Sequence, residues 1–470
     1  MTASLLPPGF AVALDPRNRW LDDGAALLGG SPLRLLHLKP GARGLLAEQP
    51  LQVRDRRTAA LARQLLDAGV AHPRPGTGPA STEVTVVVPV RDNAAGVDRL
   101  LSALDCATTV IVVDDGSRCP LALQAVVQRH GARLLRHPVS RGPSAARNTG
   151  LAHAGTAFVA FLDSDVVPAP GWLGPLLGHM SDPAVALSAP RIIALPAGRG
   201  WIAGYEAVCS SLDLGPREAA IVARSRVAYV PSAAMLLRVT AVAQRCFDED
   251  MAVAEDVDLC WRLQAEGWRL RYEPAARVAH EHRTSVVKWL RRKAFYGTGA
   301  ATLARHHPGK VAPVVLAPWT VAACALLASG SPPGLAGAAA ITGVSAVRLS
   351  RSLPGLEHPL RTAAVLAAQG LWGAAAQLSS AAGRSYWPLA ALLAVFMPGS
   401  RRVLVAATVL DGVLDWARHR EAERGRPGLD PVRHLVAKRL DDLAYGAGLW
   451  WGAARAGSVG ALRPAFSGIR

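Results

Sequence analysis

Cysteine is scarce in this chain: Cys106, Cys119, Cys209, Cys246, Cys260 and Cys324 are the whole set among 470 residues, and no two form a CxxC pair. Such a thin, scattered set excludes a disulfide scaffold and suits free, mostly buried thiols in a reducing compartment. Charge is also low, at 19% of residues, against about 25% in ordinary globular chains. The chain carries no zinc finger, no aromatic RNA-binding strand motif and no basic zipper, which excludes the common nucleic-acid readers. It begins without a basic stretch leading into an apolar run, so no signal peptide is expected. What is present is a surplus of base: Lys and Arg outnumber Asp and Glu by 52 to 35. With nucleic acid set aside, that surplus points to a nucleotide substrate or an anionic membrane face.

The length implies two or three domains. Residues 1–75 combine strand-like and helical pieces. Phe10 to Gly24 reads as two short strands around a turn, and Arg57 to Ala68 has helical spacing with Leu61, Leu65 and Leu66 on one face. This mixture suggests a small winged-helix-like module, followed by a Pro/Gly-rich linker from His72 to Pro79. From residue 84 to 285, apolar strands alternate with helices. Strands are expected at Val84–Val90, Val110–Val113, Ala132–Arg136 and Phe158–Leu162, with helices at Gly96–Ala103 and Leu121–His130. Unbroken Val, Ile and Ala runs mean strands buried on both faces, hence a parallel, doubly wound α/β sheet. Ligand is then expected at the carboxyl ends of the strands.

Four motifs fall at those places. Pro89, Arg91 and Asp92 end the first strand, where a polar edge can hydrogen-bond a base. Asp114 and Asp115 end the second, followed by Gly-Ser, and two acids there can bind a uracil imide and ribose hydroxyls. Asp163-Ser-Asp165 ends the Phe158–Leu162 strand; carboxylates at i and i+2 can face one hard cation, magnesium or manganese, which bridges to a diphosphate. Glu255-Asp256 opens a helix. Acids there can act as simple caps, or one can take a proton from an attacking hydroxyl. His280, with His282 as the competing choice, sits at a late strand end where an imidazole could complete a metal shell.

With these pieces in place, residues 84–285 resemble the family 2 inverting glycosyltransferases, which have the A-type nucleotide-diphospho-sugar transferase fold. The matching segments are P-V-R-D-N, V-D-D-G-S, R-G-P-S-A-A-R-N-T-G, L-D-S-D and E-D-V-D-L-C-W-R-L with a later V-A-H. The resemblance implies uracil recognition by Asp115, ribose and phosphate contact by Asp163, metal ligation by Asp165, support of the acids by Arg147 and a catalytic base at Asp256. A Q-x-x-R-W motif of processive synthases is missing, which argues against a polysaccharide-extruding channel. The N-terminal G-F-A-V-A-L-D and A-A-L-L-G-G-S-P-L-R-L-L, together with the alanine-rich tail, make the whole chain similar to mycofactocin biosynthesis glycosyltransferases. That likeness implies UDP-glucose as donor and a peptide-derived acceptor, pre-mycofactocin, extended as a β-linked glucose oligomer. It also implies a peptide-recognition role for the first 75 residues. A membrane enzyme acting on lipid or cell-wall polysaccharide, and a silent peptide-binding scaffold, are the alternatives.

Residues 286–470 form an alanine-rich helical region. Val311–Gly330, Thr362–Gly383 and Ser385–Ser400 carry no charge, and the first is long enough to span a bilayer. The basic helix Ser285–Tyr296 offers Trp289, Leu290 and Phe295 as apolar anchors. Membrane contact through this region is therefore expected, with the catalytic domain facing the cytoplasm.

Overall fold

The computed structural model describes residues 5–104, 108–195, 200–242, 246–283, 285–353, 355–422 and 429–466; Cys106 lies outside them. Two units are built. One comprises Met1–Arg199 with Glu206–Arg283, the other Gly200–Tyr205 with Thr284–Arg470.

At the start of the first unit, β1 (Ala11–Leu14), β2 (Arg19–Leu21), β3 (Ala26–Gly29) and β4 (Arg34–His37) lead to α1 (Pro40–Leu46), β5 (Leu51–Gln52), α2 (Arg56–Ala68) and β6 (Ala71–Arg74). The strands flanking the first turn do not pair with each other: β1 lies between β5 and β6, whereas β2 joins the β3–β4 hairpin. Helix α2 starts where Asp55 accepts a hydrogen bond from the Thr58 N–H at 2.8 Å. It stops at Gly69, whose left-handed φ of 72° suits a residue without Cβ. Leu65 and Leu66 on its inner face pack with Leu27, Val12 and Val70.

The expected linker is in part a strand. Ala71–Arg74 pairs antiparallel with Ala11–Leu14, because the alternative would leave the backbone polar groups of β1 unmatched on that side. More contacts fasten this region to the sheet that follows. Arg63 on α2 forms a bidentate pair with Asp182 at 2.8 Å through both nitrogens, and both side chains are buried. Burial alone would favour the neutral acid, yet the Arg63 guanidinium holds the Asp182 carboxyl below the usual range. Arg63→Ala is therefore expected to destabilise the chain by about 3–5 kcal/mol, since a buried charge loses its partner; the urea midpoint at unchanged m-value measures it.

The main sheet continues with β7 (Val84–Val90), α3 (Ala94–Ser102), β8 (Thr109–Asp115), α4 (Pro120–Arg129), β9 (Arg133–His137), α5 (Pro143–Ala152), β10 (Phe158–Leu162), β11 (Val166–Pro168), α6 (Leu173–His179), β12 (Val185–Ala194), α7 (Trp201–Cys209), β13 (Ala219–Ala220), β14 (Ala234–Arg238), α8 (Val239–Val242), α9 (Glu255–Ala265) and β15 (Arg269–His280). Its strand order is β11-β15-β12-β14-β10-β7-β8-β9, with β13 against β15. Strands β7 to β10 are parallel, as continuous apolar runs predict. Strand β14 enters antiparallel between β10 and β12, so the sheet is mixed, not wholly parallel. Periodicity reports burial on two faces, and β14 (Ala-Met-Leu-Leu) is as buried as its parallel neighbours; direction is decided by the connection. The carboxyl ends of β7, β8 and β10 lie side by side around the point where strand order reverses, the usual crevice for ligand.

The second unit holds α10 (Val286–His306), β16 (Val315–Leu316), α11 (Pro318–Ala328), α12 (Pro332–Ser350), α13 (Pro359–Arg384), α14 (Trp387–Phe396), α15 (Ser400–Ala422), α16 (Pro431–Arg455) and β17 (Ala465–Phe466). No helix among the described residues is long and apolar enough to cross a membrane. The uncharged stretch Val311–Gly330 breaks into β16 and an 11-residue helix, since Pro318 supplies no N–H and fits the first helical turn, not an interior. Trp289 is no surface anchor either: it is buried, edge-on to Trp201 and Tyr205. Helices α10 and α16 approach so closely that a Cβ on Gly448 would lie 1.8 Å from the Ala294 carbonyl oxygen, a contact only small residues permit.

Candidate active site

The acids singled out in the sequence fall into two groups around the strand ends. On the β7–β8 side, most are already engaged. Asp92 has a left-handed φ of 54° and accepts from the Arg118 N–H at 2.8 Å and from its Nε at 2.9 Å. Arg91 donates to Ser140 Oγ at 3.1 Å. Pro89 is buried inside β7, opposite Val113, and contributes position only. Asp114 accepts from the Ser117 N–H at 2.8 Å and faces Arg136 Nη1 at 3.4 Å.

Asp115 accepts four hydrogen bonds: from His137 Nδ1 at 2.8 Å, Ser140 Oγ at 2.7 Å, the Arg141 N–H at 2.8 Å and the Gly142 N–H at 2.9 Å. Burial opposes its charge, but the backbone donors and the Ser140 hydroxyl outweigh it and hold the carboxyl below the ordinary value. The same carboxylate thus orders the loop opening α5, and a uracil imide would have to share it. His137 and Ser140 were not singled out in the sequence. Ser140 immediately precedes the R-G-P-S segment, and His137 is the strand end facing Asp115 in the β8–β9 ladder.

The second group is tied together by one arginine. Arg147 on α5 is buried, donating through Nη2 to Asp163 at 2.7 Å and through Nη1 to Glu255 at 3.1 Å, with its guanidinium 5.2 Å from the centre of the Phe247 ring. It thereby joins the acidic triplet after β10 to the helix that carries Asp256. Helix α9 is entered through Ala254 at a left-handed φ of 68°, a strained conformation worth roughly 1 kcal/mol for a non-glycine residue. Asp256 accepts from the Ser232 N–H at 3.2 Å and the Val257 N–H at 2.8 Å. Burial, and next the adjacent Glu255 charge, push its carboxyl up to about 7. That places a base near neutrality, where proton transfer is efficient. Ser232, which also donates to Glu255 at 3.2 Å, carries no sequence motif; only the fold brings it here.

Next to this group, His280 Nε2 is 3.5 Å from Asp165 Oδ2, held there because Val166 pairs with His280 across β11 and β15. His282 lies one ring away, centroids 5.0 Å apart, with its Nδ1 3.6 Å from Glu206. Asn93 caps α3 and donates to the Ser164 carbonyl at 3.1 Å, bracing the triplet from the β7 side. The Asp165 carboxylate and the His280 imidazole, 3.5 Å apart, are a donor pair that suits a divalent ion such as manganese or magnesium. Among the buried thiols, Cys246 and Cys260 are pushed up to about 12 by burial, which favours the protonated thiol.

Residues 85–241 match the family model described as glycosyl transferase family 2. Over 467 residues, covering 99% of both chains, the protein is 53% identical to the pre-mycofactocin glycosyltransferase of Mycobacterium tuberculosis strain H37Rv. It is 33% identical over 99 residues to glycosyltransferase AglE of Haloferax volcanii, covering 19% of this chain and 33% of that one. Among solved structures, the mannosyltransferase PcManGT from Pyrobaculum calidifontis, in complex with GDP-Man and Mn2+, aligns with a TM-score of 0.36 at 20% identity, covering 62% of this chain and 87% of that chain.

Proposed function

The chain belongs to the family of the pre-mycofactocin glycosyltransferase it matches from end to end, with a glycosyl transferase family 2 domain over residues 85–241, and from that premise we propose that it transfers glucose from UDP-glucose to pre-mycofactocin, with inversion, building a β-linked oligomer. The observation that carries the chemistry is the Arg147 bridge, which sets the Asp163 carboxylate and the Asp256 helix in one fixed arrangement.

In this reading Asp256 accepts the proton of the acceptor hydroxyl as its oxygen bonds to the anomeric carbon. The bond from that carbon to the diphosphate breaks, and its electron pair leaves with UDP. Attack opposite the leaving group turns an α-donor into a β-linkage in one displacement. Asp163, Asp165 and His280 would hold manganese or magnesium, which when bound neutralises the diphosphate and eases its departure. Arg91, Asp92 and the Asp114–Asp115 pair line the nucleoside side. The acceptor rests on the name of the relative, and the donor on the resemblance of the acidic motifs to uridine-reading members of the family. The enzyme is proposed to work at the cytoplasmic face of the cell membrane, in contact with it through the second unit.

Mass spectrometry of the protein incubated with UDP-glucose, Mn2+ and pre-mycofactocin tests this: a ladder spaced by one hexose and abolished by chelator is expected. UDP release without a ladder would keep the transfer chemistry and send the search to lipid or polysaccharide acceptors. Asp165→Ala is expected to lower affinity for Mn2+ by at least about 10–100-fold, the loss that removal of an outer-shell partner alone produces. Calorimetric titration of the ion measures the loss independently of turnover.

A further inference from the structure

The second unit buries charged side chains beside its small apolar clusters. Its interior carries ion pairs: Lys293 with Asp441 at 2.9 Å, Lys438 with Asp411 and Asp442 at 2.9 Å each, and Arg384 with Asp442 at 3.0 Å. Its exterior along α13, α14 and α15 carries many large apolar side chains, Leu360, Leu392 and Val413 among them. Helix α14 (Trp-Pro-Leu-Ala-Ala-Leu-Leu-Ala-Val-Phe) has no buried residue at all; Val395 is 64% exposed and Phe396 77%. Trp372 on α13, Met397 just after α14 and Val405 on α15 are exposed as well. A run of exposed apolar side chains of this kind, unbroken along α14, marks an interaction surface.

Charge identifies the occupant. From His358 to Leu410 there is no Asp or Glu, whereas Arg361, Arg384, Arg401 and Arg402 are present. Arg361, Arg401 and Arg402 are exposed at the two ends of this apolar stretch. Exposed basic groups close to an apolar wedge, as Arg401 and Arg402 are just after α14 in the chain, complement an anionic bilayer. A second copy would meet this face with the same face, setting arginine against arginine. At 10 residues, α14 is about 15 Å long, roughly half the hydrocarbon thickness, so it enters one leaflet without crossing.

We propose that the α13–α14–α15 face is an interfacial membrane anchor, with α14 as the wedge that enters an anionic leaflet. The inference rests on the membrane contact proposed above and names the surface that makes it.

Flotation of the full chain with vesicles of equal phosphatidylglycerol and phosphatidylcholine, and with phosphatidylcholine alone, tests it. Wild type is expected to float with the anionic vesicles at least about tenfold more strongly than with neutral ones. The double variant Val395→Glu, Phe396→Glu is expected to lose about tenfold or more of that binding, with unchanged circular dichroism and metal-dependent UDP release. Arg402→Glu, outside the apolar core, is expected to weaken anionic binding alone. Equal flotation of wild type and the double variant would overturn the wedge while leaving membrane contact standing. Absence of wild-type flotation on either vesicle would overturn both. A wild-type dimer in light scattering that the double variant turns monomeric, without vesicle binding, would assign the face to a second copy.

Discussion

Asp256→Asn lowers kcat for glycosyl transfer by about 10²–10⁴-fold, the range expected when a general base is lost, and leaves the donor KM nearly unchanged. The amide keeps the shape of the carboxyl, but the Ser232 and Val257 N–H groups meet different carboxylate oxygens, so the single amide oxygen keeps one of these bonds and the variant loses the other together with proton acceptance. The pH profile sharpens the test. A base with its carboxyl pushed up to about 7 is active only when deprotonated, so the wild-type rate rises with pH through neutrality, and that limb disappears in the variant. Stability moves the other way. Because the folded carboxyl holds its proton more tightly than the unfolded one, Asp256 costs stability progressively as pH rises from about 4 toward 7, with the cost fully present above that. The urea midpoint of Asp256→Asn is therefore expected to gain on that of wild type between pH 4 and pH 8, on top of a pH-independent loss from the hydrogen bond given up. A merely structural aspartate would share the stability trend but would not show the lost kinetic limb.

Replacing Arg147 by alanine has the second large effect. The side chain is buried between Asp163 and Glu255, and Asp256 is the next residue along α9. Its removal leaves neighbouring carboxylates without the cation that offsets them. Breaking a buried ion pair from one side costs about 3–5 kcal/mol, which should appear as a lower urea midpoint. Activity should fall as well, because Asp163 and α9 lose their common tether. Arg147→Lys separates the two effects. Lysine restores the charge but not the planar fork that reaches two acids at once. A midpoint partly restored with kcat still low is expected. Full recovery of kcat in the lysine variant would mean that charge alone, and not the bidentate geometry, holds the site.

The site was readable in the sequence wherever chemistry and strand ends coincide. Val-Asp-Asp-Gly-Ser and Leu-Asp-Ser-Asp place acids immediately after unbroken apolar strands, and the parallel core β7–β10 puts those ends in one crevice by construction. The elements themselves followed from hydrophobic period and from breakers: Val84–Val90 and Phe158–Leu162 have the bounds that their apolar runs set, and α2 ends at Gly69. All of this is local, decided by each residue's own backbone preference and solvation.

What needed the tertiary structure was every relation between distant segments. The direction of β14, the docking of α2 through Arg63 and Asp182, and the convergence of Ser232 with Glu255 and Asp256 depend on loop paths that leave no periodic trace. The sequence also exposes Asp115 as an acid at a strand end but not that four donors already engage it, since those donors arise from a loop whose shape only packing sets. The same holds for the uncharged C-terminal stretches: hydropathy alone reads Val311–Gly330 as a span, but Pro318 cuts its helix to 11 residues. The apolar exterior of α14 becomes visible only once the helices that bury the charges are in place. Composition counts apolar residues, and only three-dimensional packing decides which of them face inward.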